Sequence, residues 1–273
     1  MRKWIDLNSD MGESFGNYVL GRPEEVMKLI NHANVACAYH AGDPTWMRRT
    51  VEWAKKYGVT LGAHPGFPDL MGFGRRLMNI TTQEAKDYVV YQAGALKGFA
   101  DMVGVKLEAA KPHGAFWLWA QQSEENSRAI LEGFRAVNPD IVMYLPALPR
   151  YPLLDTAERM GFRVVKEFYP GLAYSDEGGI TVKRTYGVEN VEEMVELVMK
   201  FAVEGKTTSV NGKEIPVEGD SVCVHGDVIN APEVLEALRT ALARAGIEPR
   251  SALRAGESSM TTPSPRRAEH ASA

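Results

Sequence analysis

The sequence predicts an α/β fold, a single seven-stranded β/α barrel of TIM-like form, and three observations point there. Seven short apolar runs each precede a helical pattern, the order that builds a parallel sheet. Five of those runs end in small polar clusters: Asn8-Ser9-Asp10, His40-Ala41-Gly42-Asp43, His64-Pro65-Gly66, Lys111-Pro112-His113-Gly114 and His225-Gly226-Asp227. An open sheet gathers ligands at one switch point between two strands, whereas a barrel aims every strand end at a common mouth. Length agrees, because the 273 residues less a polar C-terminal stretch make about one barrel of roughly 250.

The expected strands are 4–10, 33–40, 60–64, 107–113, 141–145, 163–168 and 221–225. The helical patterns between and after them cover about 23–31, 44–57, 81–103, 123–137, 151–160, 191–203 and 232–245. Asp43-Pro44 offers an N-cap with proline at the first helical position, and Thr81 with Glu84 makes a capping box. Gly58 and Gly161 follow helices as left-handed C-caps do. Val-Asn-Gly-Lys-Glu at 210–214 reads as a hairpin turn before the last strand. The segment 251–273, SALRAGESSMTTPSPRRAEHASA, has no aromatic and almost no large apolar residue. It buries too little to offset its ordering entropy, so the expected division is one barrel domain over 1–250 and a disordered tail holding His270.

Composition excludes several functions. Thirty-one basic against 35 acidic residues leave a net charge of −4, which provides no field for a phosphate backbone, so no nucleic-acid partner is expected. Cys37 and Cys223 stand far apart without a C-x-x-C partner, as in a reduced cytoplasmic protein. Asp6 and Asp10 interrupt what a signal peptide would need as an apolar core. No run of about 18 uncharged apolar residues exists, so no membrane span is expected.

The strand ends carry the chemistry. His40, His64, His113 and His225 each close an apolar run with a glycine within two residues. A single such histidine is more often structural, but four at one topological position predict a shared pocket. His32 lies at the opposite end and reads as structural. Period-two alternation puts Asp6, Asn8 and Asp10 on one face of the first strand, with Glu13 at its rim. Buried carboxylates are costly unless answered, so a cation, a lysine or a substrate is expected to face them. Lys111 and His113 share a face by the same alternation, and Lys111 would pair with that group or stabilise negative charge. Arg75 and Arg76, in a glycine-flanked loop, make a candidate clamp for a carboxylate or phosphate.

The expected catalytic groups are thus Asp10, His64, Lys111 and His113. The expected substrate contacts are Asp6, Asn8, Glu13, His40, Asp43, Arg75, Arg76, His225 and Asp227. A divalent metal, if bound, would be held by Asp10, His40, His64 and His113, although no H-x-E or H-E-x-x-H spacing calls for one. Gly205-Lys206-Thr207 imitates the end of a P-loop but lacks the upstream glycine and follows a helix. Phe116, Trp117 and Trp119 read mainly as packing, with a wall over the site as the other possibility.

These motifs resemble a known family. DLNSDMGESFG at 6–16, NVACAYHAGDPTWMRRTV at 34–51, GAHPGFPDLMGFGRR at 62–76, KPHGA at 111–115 and CVHGD at 223–227 resemble the LamB/YcsF family, in order, over about residues 1–249. The resemblance implies a barrel like that of glycoside hydrolases and polysaccharide deacetylases. It also implies ATP-dependent opening of the lactam 5-oxoproline to L-glutamate, together with subunits B and C of 5-oxoprolinase. No nucleotide motif is visible, so ATP would bind mainly through those partners. Within that chemistry Asp10 is the expected general base, His64 or His113 the proton carrier, Lys111 the oxyanion or phosphate partner, and Arg75 or Arg76 the carboxylate clamp. The sequence departs from the family at Ala38, usually glycine, and at Phe116-Trp117-Leu118, usually Leu-Tyr-Asn. Gly171-Leu172 replaces a usual Asp-Arg pair, while Arg184 matches a family arginine. Two other readings follow from the residues: a stand-alone metal-dependent amidohydrolase or deacetylase, and a non-catalytic partner that binds a small carboxylic acid.

Overall fold

Alternation along each strand sorts its side chains between two cores, and that sorting closes the sheet. In β1 (Trp4–Met11) Ile5 and Leu7 point outward under the helices, while Asp6, Asn8 and Asp10 point inward. The computed structural model describes residues 2–147, 151–181 and 187–254. Its barrel consists of β1, β2 (His32–Ala36), β3 (Thr60–His64), β4 (Leu107–Ala110), β5 (Val142–Pro146), β6 (Val164–Phe168) and β7 (Ser221–Cys223). Consecutive strands pair in parallel, and β7 closes the ring on β1 with Asp6 opposite Ser221 and Asn8 opposite Cys223. The expected seven-stranded barrel is therefore the observed one. Three runs stop pairing before their predicted ends: residues 37–40, 111–113 and 224–225 leave the ladder and turn over the mouth.

Helices α1 (Pro23–Met27), α2 (Pro44–Tyr57), α3 (Thr82–Val103), α4 (Gly114–Ala120), α5 (Glu124–Val137), α6 (Pro152–Arg159), α7 (Val191–Glu204) and α8 (Ala231–Arg244) surround it. Their apolar stripes, such as Val89, Ala93, Leu96 and Ala100 on α3, are fully buried. Val89 and Leu96 each contribute about 1.5–3 kcal/mol relative to exposure. The capping box at Thr81 and Glu84 is present, and Gly58 and Gly161 take positive φ. Helix α4, unforeseen from the sequence, begins at His113 and buries Phe116 and Trp119. Gly205 ends α7 as a left-handed cap, and Lys206–Thr208 pairs with Glu214–Pro216 across the expected turn, so this segment is a hairpin and no phosphate loop.

The lower barrel corrects the expected domain boundary. Ala252 and Leu253, placed in the tail by composition, plug the barrel floor against Ala109, Val142, Tyr144 and Val165. Ser251 Oγ meets Thr60 Oγ1 at 2.9 Å, and Arg254 grips Glu108 with two bonds of 2.6 and 2.7 Å. A short parallel pairing of Trp4–Ile5 with Glu248–Pro249 delivers the chain there. Ala252 and Leu253 are two apolar residues in a largely polar stretch, too few for composition to mark. Residues 255–273 of the expected tail lie outside the described ones. Among the described residues, no helix is long and apolar enough to cross a membrane.

Candidate active site

Two layers of polar side chains fill the barrel above its floor. In the lower layer Tyr144 donates to Asp6 Oδ2 at 2.6 Å, and the Ala252 amide donates to the same oxygen at 3.2 Å. Asn8 donates to Ser221 Oγ at 2.7 Å and accepts from Asn34 at 2.9 Å. His32 bonds Thr60 Oγ1 at 2.9 Å and Asn34 Oδ1 at 3.2 Å, and stacks on Tyr144 with centroids 4.1 Å apart. Burial pushes the Asp6 carboxyl up to about 7 and the His32 imidazole down to about 3. Asp6 and Asn8, expected as substrate contacts, thus serve this internal lattice instead.

The upper layer is ionic. Lys111 lies between Asp10 Oδ1 at 2.9 Å and Glu167 Oε2 at 3.1 Å, with Cys223 Sγ at 3.4 Å. Burial alone would raise the Asp10 pKa, but His64, Lys111 and His225 together hold it well below the usual carboxylate range. Burial likewise opposes charge on Lys111, and Asp10, Cys223 and Glu167 outweigh it, so its pKa stands well above normal. A buried lysinium and an Asp10 carboxylate follow. Asn34 braces Asp10 Oδ1 at 3.1 Å. His64 Nε2 stands 3.4 Å and His225 Nδ1 3.8 Å from Asp10 Oδ2. Burial lowers His225 to about 4 despite Asp10.

Behind Asp10 three histidines and Glu13 crowd together. His64 donates from Nδ1 to the Lys111 carbonyl at 2.9 Å, and His113 donates from Nε2 to the Phe73 carbonyl at 2.7 Å. His64 Nε2 and His113 Nδ1 meet at 3.0 Å. His40 stacks flat on His113, centroids 3.7 Å apart, with Nε2 3.6 Å from Glu13 Oε1. Two glycines make this possible. A methyl at Gly66 would sit 2.6 Å from His40 Nδ1, and one at Gly74, where φ is +64°, would sit 2.5 Å from His40 Cβ. Glu13, His40, His64 and His113 each offer a ligand atom within 4.8 Å of the others. The carboxylate of this group is Glu13, where the sequence pointed to Asp10; Lys111 and Asn34 hold Asp10 Oδ1, and Oδ2 stands 3.4 Å from His64 Nε2. Imidazole and carboxylate donors are those a divalent transition metal takes. Burial, with Asp227 and Asp10 adding, pushes the Glu13 carboxyl well above its ordinary range.

A pocket opens above this layer. Polar Asp10, His64, Arg75, Lys111 and His225 line it together with Trp117, Tyr169, Leu172 and Ile180. Trp117 is thus a wall of the pocket, and Leu172 puts an apolar group where the family's usual Asp-Arg pair would bring polar ones. Asp227 is half-buried beside Asp10 and Glu13 in a small adjoining recess. Two expected contacts stand elsewhere. Asp43 caps α2, accepting from Thr45 at 2.7 Å, Trp46 at 3.0 Å and Gly16 at 2.6 Å. Arg76 is exposed and clamps Asp69, which holds the loop that positions Phe73. Arg184 lies outside the described residues.

Asn34, Glu167 and the Phe73 carbonyl are functional groups that the sequence patterns did not single out. Alternation held the signal for two of them: Asn34 is two residues past His32 on β2, and Glu167 is two past Val165 on β6. No sequence pattern marks a backbone carbonyl.

The model of the LamB/YcsF family matches residues 5–256. A protein of Pyrococcus horikoshii named as the A component of 5-oxoprolinase is 44% identical over 246 residues, covering 89% of this chain and 96% of that protein. One of the same name from Clostridium beijerinckii is 43% identical over the same shares of both chains. The solved lactam utilization protein of Thermus thermophilus superposes with a TM-score of 0.83 at 39% identity, covering 90% of this chain and 99% of that one.

Proposed function

The chain belongs to the LamB/YcsF family, and we propose that it is the A component of an ATP-dependent 5-oxoprolinase, opening the 5-oxo-L-proline lactam to L-glutamate in the cytoplasm with subunits B and C. The observation that carries this reading is identity above 40% across nearly the whole length of proteins named for that activity. The pocket is compatible with it. A lactam resists water because amide resonance weakens its carbonyl as an electrophile. Transfer of the ATP γ-phosphoryl group to the amide oxygen, releasing ADP, makes the ring carbon reactive. Water then adds to that carbon, the ring C–N bond breaks, and the nitrogen leaves as an amine after gaining a proton. A second water releases phosphate from the resulting acyl phosphate.

Asp10 is held so strongly as an anion that it is a poor net proton acceptor near neutral pH. Its part is to orient the attacking water, while the His64–His113 pair relays the proton. This shifts the general-base role expected of Asp10 from the sequence. Lys111 supplies positive charge where the carbonyl oxygen becomes anionic or phosphorylated. Arg75, on the pocket wall, holds the substrate carboxylate, and Arg76, engaged by Asp69, does not. ATP is held mainly by the two partner proteins.

The test is one reconstitution: 5-oxoproline and ATP with the purified chain, with and without its two partners. ADP and glutamate should appear together only when all three proteins are present. Glutamate release by the chain alone without ATP, or none from the complete set, defeats the proposal.

A further inference from the structure

The histidine cluster behind Asp10 has no arrangement of protons in neutral rings that satisfies it. The Lys111 carbonyl only accepts, so His64 Nδ1, 2.9 Å away, carries a hydrogen. The Phe73 carbonyl fixes a hydrogen on His113 Nε2 in the same way at 2.7 Å. Neutral rings then leave His64 Nε2 and His113 Nδ1 as two bare lone pairs, facing each other at 3.0 Å. Beside them His40 is fully buried, and neither of its ring nitrogens has a hydrogen-bond partner. Such a group is costly unless something answers it.

We propose that Glu13, His40, His64 and His113 form a site for one divalent transition-metal ion of the zinc class. Four ligand atoms already lie within 4.8 Å of one another, and the His40 ring, stacked on His113, turns to aim its lone pair at the shared ion. Backbone carbonyls that fix the far nitrogen of a histidine are the usual outer partners of metal ligands. Two of these three histidines have one. Gly66 and Gly74 leave the His40 ring space that any side chain there would fill. The competing account is a proton shared by His64 and His113, with His64 a cation facing Asp10. It leaves His40 unanswered.

A metal here would take His64 Nε2 and His113 Nδ1, the nitrogens given to the proton relay above, so a filled site moves that relay off the two histidines; the test reads binding without turnover. Full-length protein stripped with a chelator is titrated with zinc chloride and, separately, cobalt(II) chloride. One ion per chain should be taken up, cobalt should give the visible bands of a low-coordinate site, and zinc should raise the melting temperature. Glu13→Gln, which preserves shape, and His40→Ala should each weaken uptake by about 100-fold; Arg128→Ala, on the exposed face of α5, should leave it unchanged. If His40→Ala fails to fold, Glu13→Gln decides. Equal affinity in the wild type and Glu13→Gln, or a folded wild type that takes up no ion, overturns the site in favour of the shared proton. Zinc uptake without 5-oxoproline turnover leaves the site standing and counts against the lactam reading alone.

Discussion

The two polar layers inside the barrel are equally buried, yet they differ in every respect that matters for chemistry. The lower one, built on Asp6, Asn8, His32, Asn34 and Tyr144, is a hydrogen-bonded lattice in which Asp6 Oδ1 alone has no partner and Asn34 reaches up to Asp10. The upper one, built on Asp10, Lys111, Glu167 and the histidine cluster, holds ions, facing lone pairs and an unanswered imidazole. Polar burial therefore does not mark a site by itself. What marks it is polarity that the protein leaves incomplete beside a cavity.

The strongest challenge to that contrast is removal of the shared cation. Lys111→Met strands two buried carboxylates and should cost about 3–5 kcal/mol in urea unfolding, with loss of turnover; a smaller cost would mean the upper layer is not ionic. Asp10→Asn should stay folded and lose about 10²–10⁴-fold in reconstituted turnover. Full activity in that variant sinks the assignment of Asp10.

A change in the lower layer should act on stability alone. Asp6 has its folded pKa raised from 3.8 to about 7, so its stabilising share is complete below about pH 4 and is lost as pH rises through 7. Stability of the wild type relative to Asp6→Asn should therefore fall across that window. The ceiling is about 4 kcal/mol, from roughly three pKa units. Asparagine keeps an oxygen for Tyr144 and Ala252 but leaves an amide unpaired, which brings the expected gain at pH 8 to about 2 kcal/mol. A flat difference between pH 4 and 8, measured by denaturant titration, would show Asp6 is not a buried acid.

Smaller effects separate the rim. Arg75→Ala should raise the KM for 5-oxoproline about tenfold, the size of one lost charged hydrogen bond, and Arg76→Ala should not; equal effects would contradict their different surroundings. Ala38, just before His40, has φ of +69°. A left-handed alanine costs about 1–2 kcal/mol, partly offset by the greater chain entropy of glycine, so Ala38→Gly should stabilise by about 0.5–1 kcal/mol. An unchanged melting temperature would mean that the upper rim stores no strain there.

The sequence by itself determined the barrel, because hydrophobic alternation, caps and strand–helix order are local properties of the chain. It also determined that Asp10, His64, Lys111 and His113 converge, since strand ends in a barrel share one mouth. Tertiary structure alone decided which polar residues close on each other. Asp6 and Asn8 read the same as Asp10 along β1, and only Tyr144, Ser221 and Asn34, from other strands, make them a lattice. Asp43 and Arg76 were drawn to a helix end and to Asp69 by neighbours that spacing does not rank. Residues 252–253 became a barrel floor because closure of the sheet leaves an apolar end at Ala109, Val142, Tyr144 and Val165 to cover, a demand that composition does not carry. Hydrogen-bond partnership across a closed barrel is a property of distance in space, which a linear pattern carries only in part.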